Sequence, residues 1–325
     1  MNTRQIFATL ASAMATLMFV AASPAQASPA QKRAIQSGKT VVKKARPSRQ
    51  RTAEQAEARS IERDSDDIDG PSLRSSAFLV QDQTSGTVIT AKNAESVQPI
   101  ASITKLMTAM VALDAKPGLQ EELIVSNEDI DTLKGTSSRL RVGARLTREE
   151  MLRLALMSSE NRAASALSRH YPGGKPAFVA AMNAKARQLG LDNTHFEDPT
   201  GLTSANVSTP RDLAAMVNAA YQYPLIREFT TTAGDKVRVA GREMQFNNTN
   251  SLVKNPQWDI GLSKTGYIAE AGKCLVMQVW MNSKPMIIVL LDSWGKSTRI
   301  GDANRIKRWM EKTALRAQAR DDRAT

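Results

Sequence analysis

From residue 75 onward the apolar positions fall first into short alternating runs, then into helical stripes, then into alternating runs again. Ala77-Phe-Leu-Val-Gln81 and Thr87-Val-Ile-Thr90, joined through Thr84-Ser85-Gly86, predict a hairpin. After Pro99, the stretch Ser102 to Ala115 carries Ile103, Leu106, Met107, Met110, Val111 and Leu113 around most of a helical circumference, so this helix should be buried rather than amphipathic. Residues 120 to 230 read as mainly helical. Thr147 to Met157 opens with a Thr-x-x-Glu capping box, and Arg162 to His170, Lys175 to Leu189 and Thr209 to Tyr221 follow. Strand signals return at Lys236 to Ala240, Ile260 to Ile268, Cys274 to Met281 and Met286 to Leu291, with Asn282-Ser-Lys-Pro285 as a turn, before a last helix from Thr298 to about Ala317. Hairpin, helical block, strands and helix in that order predict an α/β (α+β) fold. One antiparallel sheet is built from both chain ends and flanked by helices, and a mainly helical lobe is inserted between its halves.

The segment before residue 75 has a different texture. Met1 to Gln5 carries one Arg, Ile6 to Ala22 is almost wholly apolar, and Ala25-Gln-Ala27 supplies a small-x-small cleavage pattern, so residues 1–27 read as a signal peptide. An uncleaved membrane anchor is the other reading of that apolar run. Both put the bulk of the chain outside the cytoplasmic membrane, in the periplasm or cell-envelope exterior. Residues 28–74 are rich in Pro, Gln, Ser, Ala and charge, with eight basic and no acidic residues from Lys32 to Arg51. Such a leader cannot bury enough apolar surface to offset its ordering entropy. It is either a solvated spacer or a weak electrostatic attachment to anionic wall polymer or lipid.

Composition narrows the chemistry. A 42% hydrophobic content excludes a chain disordered throughout, and a net charge of +12 suits nucleic acid, an anionic membrane or an anionic wall. The export signal removes nucleic acid. One cysteine, Cys274, permits no internal disulfide, and two histidines, His170 and His195, cannot supply a multi-histidine metal site, so no metal or cofactor is expected.

Three short motifs remain. Ser102-Ile-Thr-Lys105 is matched by Ser251-Leu-Val-Lys254 and Ser293-Trp-Gly-Lys296, and Ser159-Glu-Asn161 by Ser204-Ala-Asn206, whereas Lys264-Thr-Gly266 occurs once. Only Ser102 opens a buried helix with both other motifs downstream. Serine is a poor nucleophile without a base, and with so few histidines lysine is the natural candidate. Lys105, three positions after Ser102, shares its helical face. To accept a proton near pH 7 it must fall by roughly 3 units from about 10.4, which burial and a facing Lys264 charge could supply. Ser159-Glu-Asn161 could alternatively cap the helix that follows it.

In this order the motifs resemble those of the serine penicillin-recognising enzymes, and more narrowly the low-molecular-mass penicillin-binding proteins, D-alanyl-D-alanine endopeptidases and carboxypeptidases. Gln98 to Met107, Met157 to Ala164, His195 to Leu202, Ser208 to Leu213 and Gly261 to Tyr267 extend the likeness. The resemblance implies a DD-peptidase/β-lactamase-like catalytic domain at 75–312, followed by a polar tail at 313–325. It implies an acyl-enzyme on Ser102 with Lys105 as base, Ser159 relaying a proton to the leaving amine and Asn161 orienting Lys105. It further implies that Lys264, Thr265 and Gly266 bind the substrate carboxylate and backbone, and that Ser102 and Tyr267 N–H groups form the oxyanion hole. Partners would be peptidoglycan stem peptides, with β-lactams as covalent inhibitors. Cross-link cleavage is preferred over pentapeptide trimming, since neither a second domain nor a C-terminal membrane helix is expected. A β-lactamase and a catalytically inactive wall-binding protein are the remote alternatives. The first is disfavoured because Glu197 lacks a Glu-x-x-Leu-Asn setting.

Overall fold

A computed structural model describes residues 70–116, 118–295 and 297–324. The expected signal peptide, 1–27, and nearly all of the expected leader, 28–74, lie outside these residues. Strands β1 (Ser75–Asp82) and β2 (Val88–Lys92) form the expected hairpin, and three late strands, β3 (Asp259–Ile268), β4 (Gly272–Met281) and β5 (Lys284–Ser293), complete a five-stranded sheet in the order β2-β1-β5-β4-β3. Each neighbouring pair is antiparallel, β1 lying against β5 with Leu79 opposite Val289. The sheet therefore joins the two ends of the described chain, and β3 is left as an edge.

Alternation along the strands sends Ala77 and Leu79 to one face and Phe78 and Val80 to the other. Both faces are covered, so strands such as Cys274-Leu-Val-Met-Gln-Val read as continuous apolar runs. Against the first face packs the helical part: α1 (Lys105–Asp114), α2 (Arg148–Met157), α3 (Asn161–Arg169), α4 (Gly174–Gln188), α5 (Pro210–Ala220) and α6 (Pro224–Thr231). Helix α7 (Thr298–Ala324) covers the second face through Ala303 and Ile306. Helix α1 is buried from Lys105 through Ala112, as its all-round apolar pattern requires. The Thr147–Glu150 capping box is present at the start of α2, both side chains bonding the opposite backbone amide.

Several boundaries differ from the sequence expectation. The block read as helical from residue 120 begins in α2. Before it, Glu122–Ile124 pairs with Arg145–Thr147 around a loop. Asp131 accepts from the amides of Leu133, Lys134 and Thr136, a local bonding pattern that competes with helix formation. A second small hairpin, Gly234–Val239 with Arg242–Asn247, has a half whose only apolar residues are Met244 and Phe246, too few to announce a strand. The expected polar tail continues α7 to Ala324, since Ala, Leu, Arg and Gln all favour helix. At the other end, order begins before Ser75: Leu73 packs on the second core cluster, and the Arg74 amide donates to Asp302 Oδ1 at 3.0 Å.

Asp302 clamps the sheet's two halves to α7. Its fully buried carboxylate accepts from the Ser75 amide at 2.8 Å, Ser75 Oγ at 2.6 Å and Ser293 Oγ at 3.2 Å, and pairs with Arg305. Removing it would strand the amides of Arg74 and Ser75, each orphaned buried donor costing about 1–3 kcal/mol. Asp302→Ala should therefore lower unfolding stability by about 3 kcal/mol or more in urea titration, and a loss below about 1 kcal/mol would contradict the clamp.

Candidate active site

Pro99 ends a short ribbon, and the chain then makes a 3-10 turn, Ala101–Thr104, that runs into α1. Ser102 sits on this turn rather than in the α-helix, and Lys105 is the first residue of α1. Two glycines press on the turn from opposite sides. A Cβ at Gly201, whose φ is +79°, would lie 1.9 Å from the Ala101 carbonyl oxygen, and one at Gly266 would lie 2.8 Å from the Ile100 carbonyl oxygen. Only glycine lets the loop and strand β3 come this close.

Lys105 is wholly buried, and its Nζ lies 2.8 Å from Ser102 Oγ, 2.7 Å from Asn161 Oδ1 and 2.7 Å from the Thr200 carbonyl oxygen. Burial, working against the attraction of Asp198 and Glu160, brings its pKa down to about 7. A neutral amine has two N–H donors and one lone pair. The Asn161 and Thr200 oxygens can only accept, so they take both donors and leave the lone pair facing the Ser102 hydroxyl. Such an arrangement can draw a proton from Ser102.

On the other side, Lys264 on β3 donates to Ser159 Oγ at 2.9 Å and to the Thr265 carbonyl at 2.9 Å. Burial and repulsion from Lys105 hold its pKa well below the ordinary lysine value. Desolvation is the main cause of the Lys105 shift, and the mutual repulsion of the two lysines works in the same direction. Ser159 occupies the turn between α2 and α3 in a left-handed conformation, φ 60°, and does not cap α3, whose N-cap is Glu160.

Ser102, Ser159 and Asn161 line one cleft of about 450 Å³ with Thr265, Gly266 and Tyr267, and the buried Lys105 and Lys264 stand behind it, bonded to Ser102 and Ser159. Four participants were not anticipated. Thr249 Oγ1 lies 2.6 Å from Thr265 Oγ1, and Thr136 accepts from Asn161 Nδ2 at 3.1 Å. Arg299 of α7 enters the cleft and donates to the Gly266 carbonyl at 2.8 Å, and Thr200 contributes only its backbone. The last is held by Asp198, whose carboxylate accepts from the Thr200 amide at 2.8 Å and the Thr203 amide at 3.2 Å.

The duplicate motifs are structural. Ser251 is exposed on a separate 3-10 turn, Ser293 serves the Asp302 clamp, and Asn206 braces the 198–203 loop through the Asp198 carbonyl at 2.9 Å. His170 bonds the Ala166 carbonyl, His195 and Glu197 are exposed, and neither histidine lines the cleft. Cys274 is buried, its thiol pushed up to about 11, and so inert. Among the described residues, no group of His, Cys, Asp or Glu could hold a metal ion.

Comparison with known proteins agrees with this fold. Residues 64–295 match the family described as D-alanyl-D-alanine carboxypeptidase. The chain is 49% identical over 253 residues to a D-alanyl-D-alanine endopeptidase of Pseudomonas aeruginosa, covering 76% of this chain and 82% of that one. It is 47% identical over 243 residues to one of Escherichia coli, covering 74% and 78%. The crystal structure of a Streptomyces DD-transpeptidase superposes with a TM-score of 0.70 at 28% identity, over 74% of this chain and 98% of that one.

The Lys105 environment sets a pH dependence. Protonated Lys105 has no lone pair, so the reactivity of Ser102 toward acylating agents should rise with pH through about 7 and level off above it. Lys105→Arg, charged throughout, should lose nearly all of it. A flat profile from pH 5 to 9, or an Arg variant within tenfold of the parent, would remove Lys105 from the base role.

Proposed function

The chain belongs to the D-alanyl-D-alanine carboxypeptidase family and is a serine DD-peptidase, and we propose that it acts through an acyl-enzyme on Ser102, chiefly on the cross-links of peptidoglycan. The observation that carries the mechanism is the triple contact of Lys105. Its lone pair takes the Ser102 proton as Oγ attacks the carbonyl of the penultimate D-alanine. The N–H groups of Ser102 and Tyr267 receive the oxyanion, where one donor is worth about 2.7–4 kcal/mol. Ser159, bonded to Lys264, hands a proton to the departing amine, because a hydroxyl can accept and donate at once. Lys105 passes the proton it took from Ser102 to Ser159, replacing the one given to the amine and leaving Lys105 neutral; water then attacks the ester, giving its proton to Lys105, which returns it to Ser102 Oγ as the ester bond breaks.

Recognition follows from β3 being an edge. Its free side can take an extended peptide as a further strand. Lys264, Arg299 and the Thr249–Thr265 hydroxyl pair gather positive charge and O–H donors at one end, suited to the carboxylate of the leaving residue. Peptide bound this way runs antiparallel to β3, with its acyl portion passing Tyr267 toward Ile268 and Ala269. Penicillins, which carry a carboxylate beside a strained amide, fit the same frame and should acylate Ser102.

Endopeptidase and carboxypeptidase reactions share the acyl-enzyme and differ only in the amine that leaves. The likeness to two relatives named endopeptidases favours cross-link cleavage here. Given equal amounts of cross-linked dimer and uncross-linked pentapeptide, the purified enzyme should release monomer from the dimer faster than D-alanine from the pentapeptide, and Ser102→Ala should abolish both. Faster D-alanine release would make it a tail-trimming carboxypeptidase with the same mechanism.

Its place of work follows from the sequence. The apolar run Ile6 to Ala22, the small-x-small pattern after it and the basic stretch Lys32 to Arg51 support export and a weak hold on anionic envelope polymers. Among the described residues, no helix is long and apolar enough to cross a membrane. Recovery of the mature protein with cytoplasmic markers on fractionation would refute this placement.

A further inference from the structure

Of the three groups that touch Lys105 Nζ, the Thr200 carbonyl alone comes from an irregular loop, residues 197–206. A carbonyl displaced by about 1 Å would release one N–H of the amine and turn its lone pair away from Ser102, an error that can cost roughly a hundredfold in rate. Something other than regular secondary structure must hold it.

One carboxylate does. Asp198 Oδ1 accepts from the amides of Thr200 at 2.8 Å and Gly201 at 2.5 Å and from Asn206 Nδ2 at 3.2 Å. Its Oδ2 accepts from Thr200 Oγ1 at 3.1 Å and the Thr203 amide at 3.2 Å. The peptide unit between Thr200 and Gly201 is therefore held at both ends, its N–H by Asp198 and its C=O by Lys105. That unit is a rigid plane, so fixing one end fixes the other, and each hydrogen bond polarises the next. The loop is fastened in turn to the Lys105 helix. Asn206 Nδ2 donates to Thr104 Oγ1 at 3.0 Å, and Thr108 Oγ1 donates to the Pro199 carbonyl at 2.6 Å.

Charge adds a second effect. Asp198 is half-buried and borders a cavity of about 160 Å³ that also holds Lys175, Glu128, Asp129 and Asp131, with Asn161 and Leu202 shared between this cavity and the cleft. Toward Lys105 face Asp198, Glu160 from the turn before α3, and Lys264 of β3 with Arg299 beyond it. Glu160 is engaged with Ser138 and Arg139, whereas Asp198 bonds the very peptide unit that touches Nζ.

We propose that Asp198 is a positioning residue for the base: through the Thr200–Gly201 peptide it directs the Lys105 lone pair at Ser102, and its charge sets the pH range in which the amine works. The two effects can be separated. Holding the peptide keeps the lone pair directed, while the negative charge favours the ammonium form and opposes the desolvation that drives Lys105 toward neutrality. Without that charge the amine would be neutral at lower pH but a weaker base. This inference rests on the acyl-enzyme reading above and deepens it.

The test measures second-order acylation of Ser102 by one penicillin from pH 5 to 9, in the full chain and in two variants whose thermal unfolding is recorded alongside. Asp198→Asn keeps an oxygen for the Thr200 and Gly201 amides and loses the charge. Its midpoint should fall by about half a pH unit or more from the parent value near 7, with a plateau within about tenfold of the parent. Asp198→Ala loses the bonds as well, and its plateau should fall by roughly a hundredfold. An Asn midpoint at or above that of the parent, or an Ala plateau within about threefold of it, would overturn the inference while leaving Ser102 and Lys105 in their roles. Should the Ala variant fail to fold, the Asn variant decides alone, because a carboxylate with a merely structural role would change the amount of folded enzyme and not the midpoint. A parent chain that no penicillin acylates at Ser102 would overturn the acyl-enzyme reading itself, and this inference with it.

Discussion

Two buried lysines face one small cleft, and the surrounding architecture is arranged so that they are not both charged there. Water can solvate neither, since Lys105 and Lys264 are essentially inaccessible. The attraction of Asp198 and Glu160 offsets only part of the desolvation of Lys105, which ends near neutrality. Had either carboxylate contacted Nζ directly, Lys105 would be an inert ion-pair partner. What touches it instead are an amide oxygen, a backbone carbonyl and the serine. The chain thereby keeps an amine that is both basic enough to accept a proton near pH 7 and neutral often enough to do so.

That arrangement requires parts from distant regions of the sequence. The Ser102 turn, the Ser159 turn and the Thr200 carbonyl belong to the helical part, whereas Lys264 belongs to the sheet edge. They meet because β1 and the three late strands form one sheet, which sets the α1 entrance against β3. The approach is close enough that Gly201 and Gly266 admit no side chain. Ala101 and Ser159, flanking or bearing reactive groups, both adopt positive φ. Strained backbone of this kind persists only where its surroundings over-determine it. Here the two glycine contacts and the Lys105 and Lys264 hydrogen bonds do so.

Much of this was readable from residue types. Short apolar runs, alternating in the hairpin and continuous in the late strands, identified every strand of the main sheet. Thr147 and Glu150 announced the start of α2, and the spacing of Ser102 and Lys105 placed base beside nucleophile. What stayed hidden was chemistry not written in a side chain or not local. Thr200 acts through its carbonyl, which any residue would supply, and it is located only by the Asp198 loop. Arg299 reaches the cleft because α7 packs across the sheet, and no motif marks it. The Glu122 to Thr147 region carries apolar residues at spacings a helix would also accept. There the Asp131 turn decided the outcome, which composition alone does not reveal.

The site is costly, and its cost varies with pH in a defined sense. A lysine whose pKa is about 7 when folded and near 10.5 when unfolded binds fewer protons in the native state between those values, so native stability rises with pH across that window. At neutral pH the penalty for Lys105 alone is about 4 kcal/mol, a large share of the 5–15 kcal/mol that holds a typical domain together. Burial of the sheet on both faces is the main compensating feature of this fold, because the central runs Cys274 to Val279 of β4 and Met286 to Leu291 of β5 are removed from water. The Asp302 clamp matters for the same reason: it ties β1 and β5 to α7 without adding a charge to the cleft. Catalytic strain at one edge and dense apolar packing behind it are thus a single design, in which the core stabilises a site that would be unstable by itself.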